Sequence, residues 1–165
     1  MSKKILIMAG GTGGHIFPAL AIAKELKERG VAVEWLGVKS KMESRLVPEH
    51  GYKFHGVSSS GLRGKNLLTI LKAVFLLSYG FLQTIVVFFK YRPNIVIGVG
   101  GYASGTGGLI SKFFFVPLFI HEQNSVPGTT NRLLSRLSYK CFQAFEDTFP
   151  ENVEAITTGN PILFN

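Results

Sequence analysis

Residues 3–30, KKILIMAGGTGGHIFPALAIAKELKERG, hold a strand, a turn and a helix in immediate succession. Residues 3–9 are a short, nearly continuous apolar run that ends in glycines, as a buried parallel strand does. Pro18 opens a helical pattern that Gly30 closes, the usual proline-first, glycine-last punctuation. Between them lie Gly10, Gly11, Gly13 and Gly14. A plain turn needs one or two glycines. Four of them free the backbone to turn its amides toward an anion at a helix N-terminus, where the dipole adds attraction.

The kind of anion is narrowed by what the loop lacks. A dinucleotide fingerprint counted from Gly11 requires a third glycine at position 16, which is Ile16. The next apolar run, residues 32–36, ends at Leu36 and Gly37 with no acid at its tip for a ribose. No G-x-x-x-x-G-K-[ST] occurs either, so NAD and ATP are both disfavoured.

Outward from this unit the same alternation continues. A short helix is predicted over 42–47, a strand over 52–57, a polar loop over 58–65 and a long apolar segment over 66–89. A strand over 95–98 follows, then a second glycine loop, GGYASG, at 100–105, a short helix and a strand over 117–120. HEQN (121–124) comes next, then helical spacing over 129–139 and two short strands near Cys141 and Ala155. Strand and helix alternating throughout imply an α/β fold, a Rossmann-like doubly wound parallel sheet. Strands one and four are neighbours at the switch point of such a sheet, so both glycine loops should open into one crevice. Gly100, Gly101 and Ser104 then join the first loop as candidate substrate contacts.

The chain has 165 residues, 46% of them apolar, which suits one domain with a core and excludes a disordered chain. One cysteine, Cys141, permits no internal disulfide and fits a reducing compartment. The apolar stretch of MSKKILIMAGG is too short for a secretory leader. Net charge is +8, and no Asp or Glu occurs between His50 and His121, where Lys53, Arg63, Lys65, Lys72, Lys90, Arg92 and Lys112 lie. Uncompensated cations attract phosphates, nucleic acid or anionic lipid. These cations do not alternate with surface aromatics in any recognised nucleic-acid module, so nucleic acid is the weakest of the three.

His15, at the junction of glycine loop and helix, and Glu122, the first acid after the acid-free stretch, are candidates for proton transfer. Each has a purely structural alternative. The single Asp, Asp147, rules out an Asp-x-Asp metal clamp, so no metal is expected and amides, dipoles and cations must neutralise any diphosphate. Residues 73–89 carry no charge over 17 positions. Three readings stand: a buried crossover helix, a helix that also lays an aromatic face on a bilayer surface, and a membrane span, which would break the alternating pattern. The basic flanks Lys65, Lys72, Lys90 and Arg92 favour anionic headgroups, with Lys72, Phe75, Leu76, Tyr79 and Leu82 as the expected membrane contacts.

Taken in order, AGGTGGHIFPALAIA, WLG, SGLRGK, GVGGYASG, HEQN and TGNP resemble the N-terminal half of the MurG family, bacterial transferases that complete the lipid precursor of peptidoglycan. The likeness runs the length of the chain. It implies that residues 1–165 are the acceptor-side domain of a GT-B glycosyltransferase, with the donor-binding C-terminal domain outside this sequence. It implies transfer of GlcNAc, with inversion, from UDP-GlcNAc to an undecaprenyl-diphosphate-linked muramoyl pentapeptide, on the cytoplasmic face of the plasma membrane and with no cofactor. By the same resemblance Thr12, Gly13, Gly14 and Asn124 contact donor or diphosphate, and His15, Tyr102 and Glu122 weigh most on catalysis. Alone, such a half is expected to turn over nothing. One departure is Leu163, where the family usually has Arg. The alternative reading is a non-catalytic acceptor-binding subunit at the membrane surface that works with a separate donor-binding chain.

Overall fold

The computed structural model describes residues 3–59 and 67–163. The elements in chain order are β1 (Lys4–Ala9), α1 (Gly13–Glu28), β2 (Ala32–Val38), α2 (Glu43–Glu49), β3 (Lys53–Val57), α3 (Leu67–Tyr91), β4 (Ile95–Gly100), α4 (Tyr102–Phe113), β5 (Leu118–Glu122), α5 (Thr129–Leu134), β6 (Lys140–Gln143) and β7 (Ala155–Thr157). The seven strands form one parallel sheet in the order β3-β2-β1-β4-β5-β6-β7. Chain order reverses between β1 and β4, which pair directly, Ile7 opposite Ile97. A crevice at the carboxyl ends of these two strands follows from that reversal.

Apolar side chains alternate between two cores. On one face Leu6, Met8, Leu36, Val96 and Ile120 pack under α3, α4 and α5; on the other Ile5, Ile7 and Trp35 pack under α1 and α2. The Trp35 indole N–H donates to the Ala9 carbonyl at 2.9 Å, holding β2 to the end of β1 where the glycine loop begins.

Two expected boundaries are corrected. Helix α1 starts at Gly13 rather than Pro18, so the glycine loop is already its first turn; Pro18 sits inside it. A proline there removes only the hydrogen bond to the carbonyl of Gly14, within a turn whose neighbouring groups are partly free. Helix α5 stops at Leu134, short of the expected 139. The hydroxyls of Ser135 and Ser138 donate to the carbonyls of Arg132 and Ser135 at 2.9 and 2.8 Å, and such local bonds compete with the helical ladder.

Helix α3 crosses the sheet with one face down. Ala73, Gly80, Thr84, Val87, Phe88 and Tyr91 are buried. At Gly80 the helix passes so near the Ser58 carbonyl that a Cβ would collide with it. The Tyr91 hydroxyl donates to the Ala32 carbonyl at 2.9 Å. This packing makes α3 a crossover helix of the sheet and not a membrane span, although Leu71–Tyr91 is long and apolar enough to cross one. Residues 60–66, which include Arg63, Lys65 and most of the predicted polar loop, lie outside the described residues.

Candidate functional site

The two glycine loops meet. Gly100 and Gly101 have φ of +121° and +86°, conformations that a side chain resists. A Cβ at Gly101 would strike the Gly10 carbonyl oxygen, and one at Gly100 would lie 2.8 Å from the His15 ring. Glycine therefore serves twice at this spot, for backbone conformation and for close approach. Ser104, one turn into α4, ties the loops from within: its hydroxyl donates to the Met8 carbonyl at 2.5 Å and accepts from the Gly100 amide at 3.1 Å. Ser104 is fully buried. Its expected place among the substrate contacts is corrected to a clamp beneath the loops, because the hydroxyl is already engaged by backbone.

At the crevice, Thr12 caps α1 through its backbone, with its carbonyl accepting from the His15 and Ile16 amides at 3.1 and 3.2 Å. The amides of Gly13 and Gly14 have no partner among the described residues, nor do those of Tyr102 and Ala103 opening α4. Neither helix has an acid in its first turn. Two helix N-termini whose leading amides have no partner among the described residues thus converge at the glycine loops, and neither carries an acid in its own first turn.

His15 is half-buried between the loops. Its Nδ1 lies 3.2 Å from the Gly10 carbonyl and 3.5 Å from the Thr12 hydroxyl. A carbonyl only accepts, so Nδ1 carries the proton in that contact and the neutral ring keeps its lone pair on Nε2. Nε2 is the nitrogen that borders Gly100.

Glu122 has a different setting from the one its position suggested. It is fully buried. One oxygen accepts from the amides of Gln123 and Asn124 at 3.1 Å each and from Asn124 Nδ2 at 2.8 Å. The other accepts from the Gly128 amide at 3.0 Å and Asn131 Nδ2 at 2.9 Å. A carboxylate so occupied and shielded has no free lone pair for an incoming hydroxyl, so the catalytic expectation for Glu122 is corrected. It shapes the turn between β5 and α5 and orients Asn124, which is exposed beside the crevice.

Residues 5–143 match the glycosyltransferase family 28 N-terminal domain. The chain belongs to this family. The family 28 domain is 58% identical over 164 residues, 99% of the chain, to the UDP-N-acetylglucosamine–N-acetylmuramyl-(pentapeptide) pyrophosphoryl-undecaprenol N-acetylglucosamine transferase of Vesicomyosocius okutanii, and covers 48% of that protein. It is 49% identical over 160 residues to the transferase of the same description from Shewanella sediminis, covering 97% of the chain and 44% of the relative. Among solved structures, MurG of Acinetobacter baumannii superposes with a TM-score of 0.81 at 35% identity, over 96% of the chain and 45% of that protein. The Streptomyces glycosyltransferase SsfS6 superposes at 0.65 with 11% identity, over 93% of the chain and 53% of that protein, a likeness of fold alone. The chain spans about half the length of the curated relatives it matches.

Within this family 28 domain, Tyr102 is 48% exposed at the head of α4, beside the crevice. Of the expected membrane contacts, Lys72, Phe75, Tyr79 and Leu82 are exposed on one side of α3, and Leu76 is half-buried beside them. Leu163, where a basic residue was looked for, packs against the apolar cluster under α1.

Sequence reasoning missed Glu43. This fully buried carboxylate at the start of α2 accepts from the Gly11 amide at 3.1 Å and the Val38 amide at 3.0 Å, holding the glycine loop from below. Its one visible trait is being an acid among Lys39, Lys41 and Arg45. His121 was also passed over. Its Nε2 donates to the Gly159 carbonyl at 3.2 Å and its Nδ1 accepts from Gln123 Nε2 at 3.0 Å, and burial lowers its pKa. HEQN and TGNP are thereby joined.

Proposed function

We propose that this chain is the acceptor-binding half of an inverting glycosyltransferase that moves GlcNAc from UDP-GlcNAc to an undecaprenyl-diphosphate-linked muramoyl pentapeptide. The observation that carries the reading is the His15 ring seated against Gly100 where two amide-bearing helix N-termini converge. The amides of Gly13, Gly14, Tyr102 and Ala103 receive diphosphate oxygens, with Thr12, Gly100, Gly101 and Asn124 framing the ligand. Nε2 of His15 takes the proton of the acceptor hydroxyl as its oxygen bonds to the anomeric carbon. The bond from that carbon to the donor phosphate breaks on the opposite face, and UDP departs with the electron pair. Inversion follows from this single displacement. Uridine and most of the sugar nucleotide belong to the half of the relatives that this chain does not span. The exposed side of α3 rests on the anionic cytoplasmic surface of the membrane, where a polyprenyl acceptor resides.

The test joins this chain to the C-terminal half of the 58%-identical relative and compares His15→Ala with His15→Asn. Loss of a general base lowers the chemical rate by roughly 100-fold or more while acceptor affinity holds. Weakened acceptor binding that Asn restores identifies His15 as a positioning group and overturns its role as base.

A further inference from the structure

A half-open cavity of about 250 Å³ lies between α3, α4 and α5. Leu77 of α3, Leu109 and Gly105 of α4, and Leu133 and Leu137 at and beyond α5 line it, and Tyr102 and Thr129 stand at helix starts on its border. Leu109 and Leu133 are 46% and 62% exposed, an unusual setting for leucines in a concave wall. A dry aliphatic cavity of roughly 150 Å³ accepts a benzene-sized hydrocarbon, so this one accommodates a longer branched segment.

Three observations specify what enters it. Tyr102 and Gly105 belong both to the cavity wall and to the first turn of α4, where the Tyr102 and Ala103 amides have no partner among the described residues, so an anionic head at those two amides places its attached tail at the opening. The three surrounding helices carry no acid, and Lys72 of α3 and Arg132 of α5 are their cations nearest in sequence to the wall residues Leu77 and Leu133, a charge balance suited to an anionic amphiphile. Gly105 is the third. Gly107 and Gly108 are required by packing, since a Cβ would meet Met8 or Leu134 closely; a Cβ on Gly105 would find only the Thr130 methyl at an ordinary 3.6 Å. A helical glycine costs about 0.5–1 kcal/mol relative to alanine, and at position 105 what it preserves is the open cavity.

We infer that this cavity is a slot for the head-end isoprene units of the polyprenyl diphosphate acceptor. The inference rests on seating the acceptor diphosphate at the glycine loops. It places the first units inside the protein and leaves the distal chain to the bilayer.

Binding of farnesyl diphosphate, inorganic diphosphate and farnesol to the chain, measured by calorimetry in the absence of vesicles, tests it. Farnesyl diphosphate is expected to bind at least roughly tenfold more tightly than inorganic diphosphate, since burying even a few methylenes yields that factor. Gly105→Leu, which fills the slot, removes the advantage, leaves diphosphate affinity intact and does not lower the thermal midpoint; Leu133→Asn reduces the advantage in a wall residue exposed enough to tolerate the change. Equal affinity for farnesyl diphosphate and diphosphate overturns the slot, as does an advantage that survives Gly105→Leu. Farnesyl diphosphate binding no better than farnesol, with both weakened by Gly105→Leu, supports the slot and instead refutes the diphosphate seat.

Discussion

Glu43 makes the case at the scale of a single residue. Each of its two oxygens accepts one backbone amide, from Gly11 and from Val38, in a site closed to water. Gly10 and Gly37 leave room for it, since a Cβ at either would collide with the Glu43 side chain. Gln is nearly isosteric but turns one acceptor into a donor facing an N–H. Leaving a buried amide unsatisfied costs about 1–3 kcal/mol. Glu43→Gln is expected to lower the unfolding free energy by about 2 kcal/mol, read from urea denaturation, and to loosen the glycine loop, read as faster exchange of the Gly11 amide. A change below ~0.5 kcal/mol with unaltered exchange removes Glu43 from the support of the loop. Neither the charge nor the spacing of Glu43 announces this role, because its partners are backbone amides of the glycine loop and of the end of β2.

Helix α3 has two faces with different duties. Its inner face is set by small or buried residues, Ala73, Gly80 and Thr84, that let it lie close to the strands and their loops. Its outer face exposes Leu71, Val74, Phe75, Tyr79, Leu82, Val86 and Phe89, continued by Phe113 and Phe115 at the end of α4. The Phe89 and Phe114 rings meet edge to face at 4.9 Å, linking the two helices. An apolar surface of this extent with cations at its rim fits an anionic bilayer, where each lysine or arginine near the surface adds about 1 kcal/mol. Sedimentation with phosphatidylglycerol vesicles is expected to retain the chain, less so as salt rises. Phe75→Ser with Leu82→Ser should weaken retention at least roughly fivefold, since two large exposed side chains leave the apolar phase. Retention that neither salt nor the double substitution alters shows that another surface touches the membrane.

Across the whole molecule, His121 joins β5 to the segment after β7. Its pKa is lowered by burial, the largest influence, against the Gly159 hydrogen bond and the Glu122 charge, which raise it. The folded protein thus favours the neutral ring more than the unfolded chain does. Protonation places an N–H on Nδ1 against the Gln123 amide donor and breaks that bond. The stabilisation is complete above the unfolded value of 6.5 and is lost as pH falls from there through the lower folded value. The slope approaches about 1.4 kcal/mol per pH unit at most. Urea denaturation at pH 7.5 and 5.5 should show a steeper decline for the wild type than for His121→Asn. Parallel declines mean that another group titrates.

The amino-acid sequence alone determined the alternation of strand and helix, the position of both glycine loops and their meeting at one crevice. Those features are local: periodicity, glycine and proline act within a few residues, and the parallel α/β pattern admits few strand orders. His15 was legible for the same reason, being part of the loop that it serves. That the carboxylates of Glu43 and Glu122 hold backbone turns was visible only in three dimensions. Glu122 lies at a strand end, where reactive groups are common, yet donors from Gly128 and Asn131 fill its lone pairs through a turn that its own local sequence does not reveal. The cavity beside Gly105 is hidden in the same way. Its walls come from three helices, and only their packing shows that a Cβ at 107 or 108 is barred while one at 105 is not. Burial, hydrogen-bond saturation and the space left between elements are sums over residues distant in the chain, and they exist only once the chain has folded.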